Sequence, residues 1–213
     1  MTDEFLDALA ADLVPVSFGY VARRLVTGIG VGVLLSAALV LPLLGMRPDI
    51  RDAMTTGMFW LKQIYTLTFG LIAGLAVERL ARPAVRARAW LVWFAAPFLV
   101  VAGVAAIQLA RAPADERLPM LLGGSASVCP RNILLSAIPL LAGLIWASRG
   151  LAPIRLREAG AAIGLAAGGG GAFIYALHCT ERTAAFLTVW YTLGMVACGL
   201  LGWAAGPLLL RWR

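Results

Sequence analysis

Charged side chains are scarce in this sequence of 213 residues. Only 14% of the residues are Asp, Glu, Lys or Arg, whereas 61% are hydrophobic. Soluble domains carry close to a quarter charged residues and an apolar share nearer a half. The shortage of charge excludes a soluble enzyme or a disordered regulator, and the mean hydropathy of +0.87 indicates a membrane protein. The net charge of +7 is then explained by membrane topology, so we expect no direct nucleic-acid binding.

Histidine and intramembrane carboxylates are scarce as well. The chain has one histidine, and no Asp or Glu falls at the middle of an apolar segment. Pumps and secondary transporters need ionisable groups near the membrane midplane, and covalent catalysis needs a nucleophile beside a base. We therefore predict neither an enzyme nor an active transporter. Lys62 lies near the outer end of a predicted span, and its side chain is expected to snorkel to the interface.

Six apolar segments have the composition of membrane-spanning helices, which need about 20 residues each. They cover residues 25–45, 64–77 (extended outward through Phe59, Trp60 and Leu61), 90–109, 133–148, 159–177 and 184–210. The predicted fold is all-α, a polytopic six-transmembrane-helix bundle over residues 25–213 within the lipid bilayer. Glycine and other small residues recur at every fourth position of several spans, as at Gly160, Gly164 and Gly168, which predicts close helix packing.

The basic residues predict the orientation of the bundle. The 18 Lys and Arg residues divide 11 to 7, with the larger share in the N-terminal segment, the second and fourth loops and the C-terminus. Cytoplasmic loops of membrane proteins carry the excess of Lys and Arg. We therefore predict that both termini are cytoplasmic, an N-in/C-in arrangement.

Two of the three cysteines are predicted to meet at the outer face. Cys129 precedes the fourth span and Cys179 follows the fifth, so an up-and-down path brings both to one membrane boundary. Such thiols can form a disulfide in an oxidising compartment, or bind a transient soft or heavy metal ion with His178 as third ligand. Glu181 completes the polar cluster and, like His178, is a further candidate for the sensing site. No other cofactor is predicted, and Cys198, inside the sixth span, is expected to be structural.

The N-terminal segment, residues 1–24, is acidic although the chain is basic overall. Its first 22 residues hold four acidic side chains and no basic one, and its apolar residues share one helical face. Because the cytoplasmic membrane surface is negative, an acidic amphipathic helix suits a basic protein partner better than the bilayer. A solubilising tail is the alternative. The residues predicted to contact a partner are Phe5, Leu6, Asp7, Leu9, Asp12 and Leu13.

Motifs along almost the whole chain resemble those of the NrsF family of bacterial integral-membrane anti-sigma factors. They include the stretches 9–16, 47–49, 59–62, 129–132, 138–140, 149–153, 176–181 and 210–212, the pair Arg23 and Arg24, and the residues Phe186, Trp190, Tyr191 and Gly194. The resemblance implies a multi-pass inner-membrane protein that sequesters an extracytoplasmic-function sigma factor of the sigma-F type. It also implies that residues 1–24 are a cytoplasmic segment and that Cys129 and Cys179 take part in sensing heavy-metal or oxidative stress.

Two other interpretations remain open from the sequence. In one, the chain is a membrane thiol oxidoreductase or a metal-handling protein, in which the same cysteines carry out chemistry. In the other, it is a structural or transport bundle in which Cys129 and Cys179 form a fixed disulfide.

Overall fold

The computed structural model describes residues 19–80, 89–151 and 153–211, and every regular element in these ranges is helical. This confirms the all-α prediction. The helices, in chain order, are α1 (Tyr20–Leu44), α2 (Ile50–Met54), α3 (Gly57–Leu80), α4 (Ala95–Arg111), α5 (Ala114–Leu122), α6 (Cys129–Arg149), α7 (Leu156–Tyr175), α8 (Ala184–Phe186) and α9 (Thr192–Leu209). A 3-10 turn, Ala89–Phe94, precedes α4, and one π turn, Leu187–Tyr191, joins α8 to α9.

Five helical segments are long and apolar enough to cross a membrane. They are Tyr20–Leu44, Gly57–Leu80, Val92–Arg111, Cys129–Arg149 and Ala184–Leu209. The remaining predicted span corresponds to α7, which is 20 residues long and is not among these five. Six of its residues are glycine, and its first turn carries Arg157 and Glu158. The chain is therefore a multi-pass membrane protein with five candidate spans in its described part.

The many small residues of α7 are explained by its position at the centre of the bundle. Most of its residues are buried, because α3, α6 and α9 pack against it. A Cβ atom added at Gly164 would collide with the Cys198 carbonyl oxygen of α9, and one added at Gly169 would lie 2.5 Å from the Gly70 nitrogen of α3. A helix surrounded by other helices has little contact with lipid, so close backbone approach matters more than apolar surface.

The same kind of packing joins α1 to α6. Gly28 lies against the Gly143 backbone, and Gly32 lies against Leu140. One turn further, the Ser36 hydroxyl donates a hydrogen bond of 2.6 Å to the Ser136 carbonyl oxygen. The predicted close contacts through small residues are therefore present in all three helix pairs.

The bundle has two distinct ends, which position the functional groups. The cysteine end, named here for Cys129 and Cys179, also holds α2, α5 and the end of α1. The terminal end holds the start of α1 and the end of α9. There Arg24 Nε donates to the Ala147 carbonyl oxygen at 2.9 Å, and Arg149 Nε donates to the Leu209 carbonyl oxygen at 2.6 Å.

Candidate functional site

The two cysteines predicted to meet are brought to the same buried cluster. Cys129 is the first residue of α6 and is fully buried, and Cys179 lies just beyond α7 and is 3% exposed. Their side chains lie within electrostatic range of each other and of Lys62. Both are free thiols, as is Cys198 in the α7–α9 contact. The site therefore presents two unpaired, buried thiols at the cysteine end.

Two buried tyrosines are part of this cluster. The rings of Tyr175 and Tyr191 lie 5.9 Å apart, and both side chains are buried. The Tyr175 hydroxyl lies beside Cys129 and Asn132. Tyr191 belongs to the π turn, and its buried hydroxyl lies beside Cys179. A single π turn of this kind is frequent at functional sites, because it redirects side chains without ending the helix.

Lys62 is part of the cluster and does not snorkel. The expectation that its side chain reaches the water interface is wrong, since only 3% of the residue is exposed. Its Nζ donates to the Cys179 carbonyl oxygen at 3.2 Å and to the Glu181 carbonyl oxygen at 2.6 Å, and it lies 5.5 Å from the centre of the Tyr191 ring. The ammonium group therefore ties the chain around Cys179 to α3.

Two arginines and one aspartate form a hydrogen-bonded network next to the cluster. Arg47 is 4% exposed, and it donates to both carboxylate oxygens of Asp49, at 2.7 and 2.8 Å, and to the Cys179 carbonyl oxygen at 3.2 Å. Arg182 donates to the same aspartate at 2.5 Å. The hydrogen bonds from Arg47 and then Arg182 lower the pKa of Asp49 below its ordinary value, so its carboxylate stays ionised.

Glu181 fixes the segment after Cys179 to the turn before α6. Its Oε1 accepts hydrogen bonds from the Gly124 backbone N–H at 2.8 Å and from the Ser125 hydroxyl at 2.9 Å. Gly123, with φ of 55°, lies in the left-handed region, and an added Cβ would lie 2.5 Å from the same carboxylate. Glycine is therefore required for this approach. In this conformation Glu181 acts as an anchor, and its part in sensing stays a prediction.

His178 contacts the end of α1. Its Nδ1 lies 2.9 Å from the Gly45 carbonyl oxygen at the end of α1. Among the residues described, no group of three or more His, Cys, Asp or Glu side chains is arranged to hold a metal ion. The predicted three-ligand set of Cys129, Cys179 and His178 is therefore not assembled in this conformation, and metal binding by the two thiols stays a prediction.

The sequence reasoning missed Lys62, Arg47 and Asp49 as members of the site. The available signal was that Lys62 is the single lysine of the chain and lies within an apolar helix. Residues Phe5, Leu6, Asp7, Leu9, Asp12 and Leu13, predicted to contact a partner, fall outside the described residues.

The helices and the site define a polytopic α-helical membrane protein with a small buried polar cluster at one end of its bundle. Comparison with known proteins gives the family. The chain belongs to the NrsF family, described as negative regulator of sigma F, whose model matches residues 9–212. The family consists of regulators and not of enzymes, which confirms that prediction and gives no support to a thiol oxidoreductase.

Two relatives are similar over almost their whole length. The anti-sigma-F factor NrsF of Caulobacter vibrioides is 43% identical over 212 residues, which is 99% of each chain. The probable anti-sigma-F factor NrsF of Azospira oryzae is 34% identical over 211 residues, again 99% of each chain. No solved structure matches the chain significantly.

Proposed function

We propose that this protein is a membrane-bound anti-sigma factor that sequesters an extracytoplasmic-function sigma factor of the sigma-F type. Its membership of the NrsF family and the names of its two relatives support this function. We further propose that α7 is the sixth span, and that the protein lies in a bacterial inner membrane with both termini cytoplasmic. The clustering of arginines at the terminal end, which the positive-inside rule associates with the cytoplasm, supports this orientation.

The element proposed to bind the sigma factor is the acidic N-terminal segment. It joins the bundle at the terminal end, where α1 begins at Tyr20. Its acidic and apolar residues suit a basic, groove-bearing partner. Sigma factors must bind DNA, so their surface is expected to be basic.

Release is proposed to begin at Cys129 and Cys179, and α6 supports a route across the membrane. Cys129 is the first residue of this helix, and the carbonyl oxygens of Trp146 and Ala147 near its other end accept hydrogen bonds from Arg24. A helix of 21 residues is about 30 Å long. A displacement of the first turn of α6 would therefore be transmitted along the helix to Arg24, which holds the start of α1. The N-terminal segment directly precedes α1. This link between Cys129 and Arg24 through α6 is the single observation that carries the proposal.

The energy that such a switch needs is within reach of thiol chemistry. A shift from 1% to 99% release requires about 5.5 kcal/mol of preference for one state. Binding of a structural metal ion by thiolates supplies about 10 kcal/mol or more, which meets this requirement, whereas a disulfide supplies about 2–4 kcal/mol and would release only part of the sigma factor. Heavy-metal or oxidative stress is the proposed signal, with the larger release expected for the metal.

Co-purification tests the proposed function and its binding element together. The full chain, solubilised from membranes, is expected to retain the sigma factor, and a chain without residues 2–18 is expected to lose nearly all of it. A variant with Asp3, Glu4 and Asp7 replaced by Asn keeps the length and serves as a graded comparison. Failure of the full chain to retain a sigma factor would sink the function, whereas undiminished retention by the truncated chain would sink only the assignment of the segment.

Cysteine substitutions test the sensing proposal. Cys129→Ser and Cys179→Ser are each expected to abolish stress-induced expression from a sigma-dependent promoter, because each leaves one thiol without its partner. Cys198→Ala is the matched control, since Cys198 is buried in the α7–α9 contact about 10 Å along the helix from Tyr191. Reporter induction under cadmium and under an oxidant is the measurement. An unchanged response in both serine variants would exclude the pair as the sensor.

A further inference from the structure

An apolar groove runs along one side of the bundle between α4 and α9. It has a volume of about 660 Å³, and its walls include Phe69, Phe94, Phe98, Leu165, Val196 and Trp203. The groove exists because α4 packs loosely, with only Val101 and Ala105 buried among its residues. Since the groove lies within membrane-spanning helices, its natural contents are hydrocarbon.

The two ends of the groove differ in their polar groups. One end is at Thr192, whose hydroxyl is hydrogen-bonded to the Tyr65 hydroxyl at 2.7 Å. At the terminal end, the Arg157 guanidinium lies 4.6 Å from the centre of the Trp203 ring. Arg157 makes no hydrogen bond or ion pair with any described residue, whereas its neighbour Arg155 is paired with Glu158 at 3.2 Å. Arg157 therefore has free donors at the mouth of an apolar groove.

The length of the groove corresponds to one leaflet. Thr192 and Trp203 are 11 residues apart on α9, which is about 16 Å along a helix. Half of a hydrocarbon core of about 30 Å is about 15 Å. Ala161 and Leu165 follow Arg157 at intervals of four on the same face of α7, and both line the groove. A single acyl chain thus fits below a headgroup placed at Arg157.

We infer that this groove binds one anionic phospholipid, with its phosphate at Arg157 and an acyl chain along α9. The guanidinium donates two parallel hydrogen bonds to a phosphate, and the indole of Trp203 suits the interface between headgroup and hydrocarbon. Basic sites between transmembrane helices are known to favour anionic headgroups for this reason.

Native mass spectrometry of the full-length protein in detergent tests the inference. Phosphatidylglycerol and phosphatidylcholine with identical acyl chains are titrated separately. The unmodified protein is expected to bind phosphatidylglycerol about tenfold more tightly, because the choline group of the other lipid places a positive charge near Arg157 and offsets the attraction of the phosphate. Arg157→Ala is expected to remove this preference. Arg155→Ala, which removes the same charge two residues away, is expected to keep it.

Two further measurements distinguish a bound lipid from other ligands of the groove. Ala161→Phe fills the groove and is expected to lower the affinity for phosphatidylglycerol, and glycerol 3-phosphate is expected to compete poorly because it has no acyl chain. An equal preference in Arg157→Ala and the unmodified protein would overturn the inference. So would full competition by glycerol 3-phosphate, or unchanged lipid binding by Ala161→Phe.

Discussion

Gly164→Val is expected to destabilise the bundle by about 3 kcal/mol, the upper end of the usual cost of overpacking. A Cβ at this position would collide with the Cys198 carbonyl oxygen and lie 3.0 Å from the Gly199 Cα. These are backbone atoms of α9, so the helix itself must move. Thermal unfolding of the purified protein, followed by size-exclusion fluorescence, is the measurement.

Gly74→Val is the matched control for this prediction. Gly74 also lies within a membrane-spanning helix, but an added Cβ would meet nothing within 4 Å. The control is expected to change the stability by about 1 kcal/mol or less. Equal losses in both variants would mean that valine harms any glycine position in these helices, and that the α7–α9 contact has no special role.

The close contact at Gly164 was within reach of the sequence, because a repeat of four residues is a local property of one helix. The helices themselves were also predictable, because hydropathy is read from the local sequence. The boundaries were less accurate: α1 begins at Tyr20, and the predicted span began at residue 25. A prediction based on apolar composition leaves out the polar residues at the end of a helix. The backbone of those residues still forms helical hydrogen bonds, so the helix is longer than the predicted span.

The candidate site was predictable only in part. The placement of Cys129 and Cys179 at the same end of the bundle follows from the number of spans between them. The partners of Lys62 do not, since they depend on how the segment after α7 folds back over the start of α3. A buried lysine bound to carbonyl oxygens has the same sequence signature as a snorkelling lysine, because both occur near the end of an apolar helix.

Lys62→Met is expected to make the Cys179 thiol react with a maleimide about ten to a hundred times faster. Each hydrogen bond from a charged donor is worth about 1.5–3 kcal/mol, and every 1.4 kcal/mol is a factor of ten. The substitution removes the described donor to the Glu181 carbonyl oxygen and one of two donors to the Cys179 carbonyl oxygen, while Arg47 keeps the other. The segment that covers the thiol therefore opens more often.

Arg51→Met is the matched control, because it removes one positive charge from an exposed residue at the same end of the bundle. Alkylation of Cys179, followed by peptide mass spectrometry, is expected to change by no more than about twofold in this variant. The same rate in Lys62→Met and the unmodified protein would show that Lys62 does not hold the segment closed. A faster rate in Lys62→Met alone would mean that the ammonium group controls access to the proposed sensor. Such a variant is then expected to release the sigma factor at a lower dose of the stress that acts on the thiols.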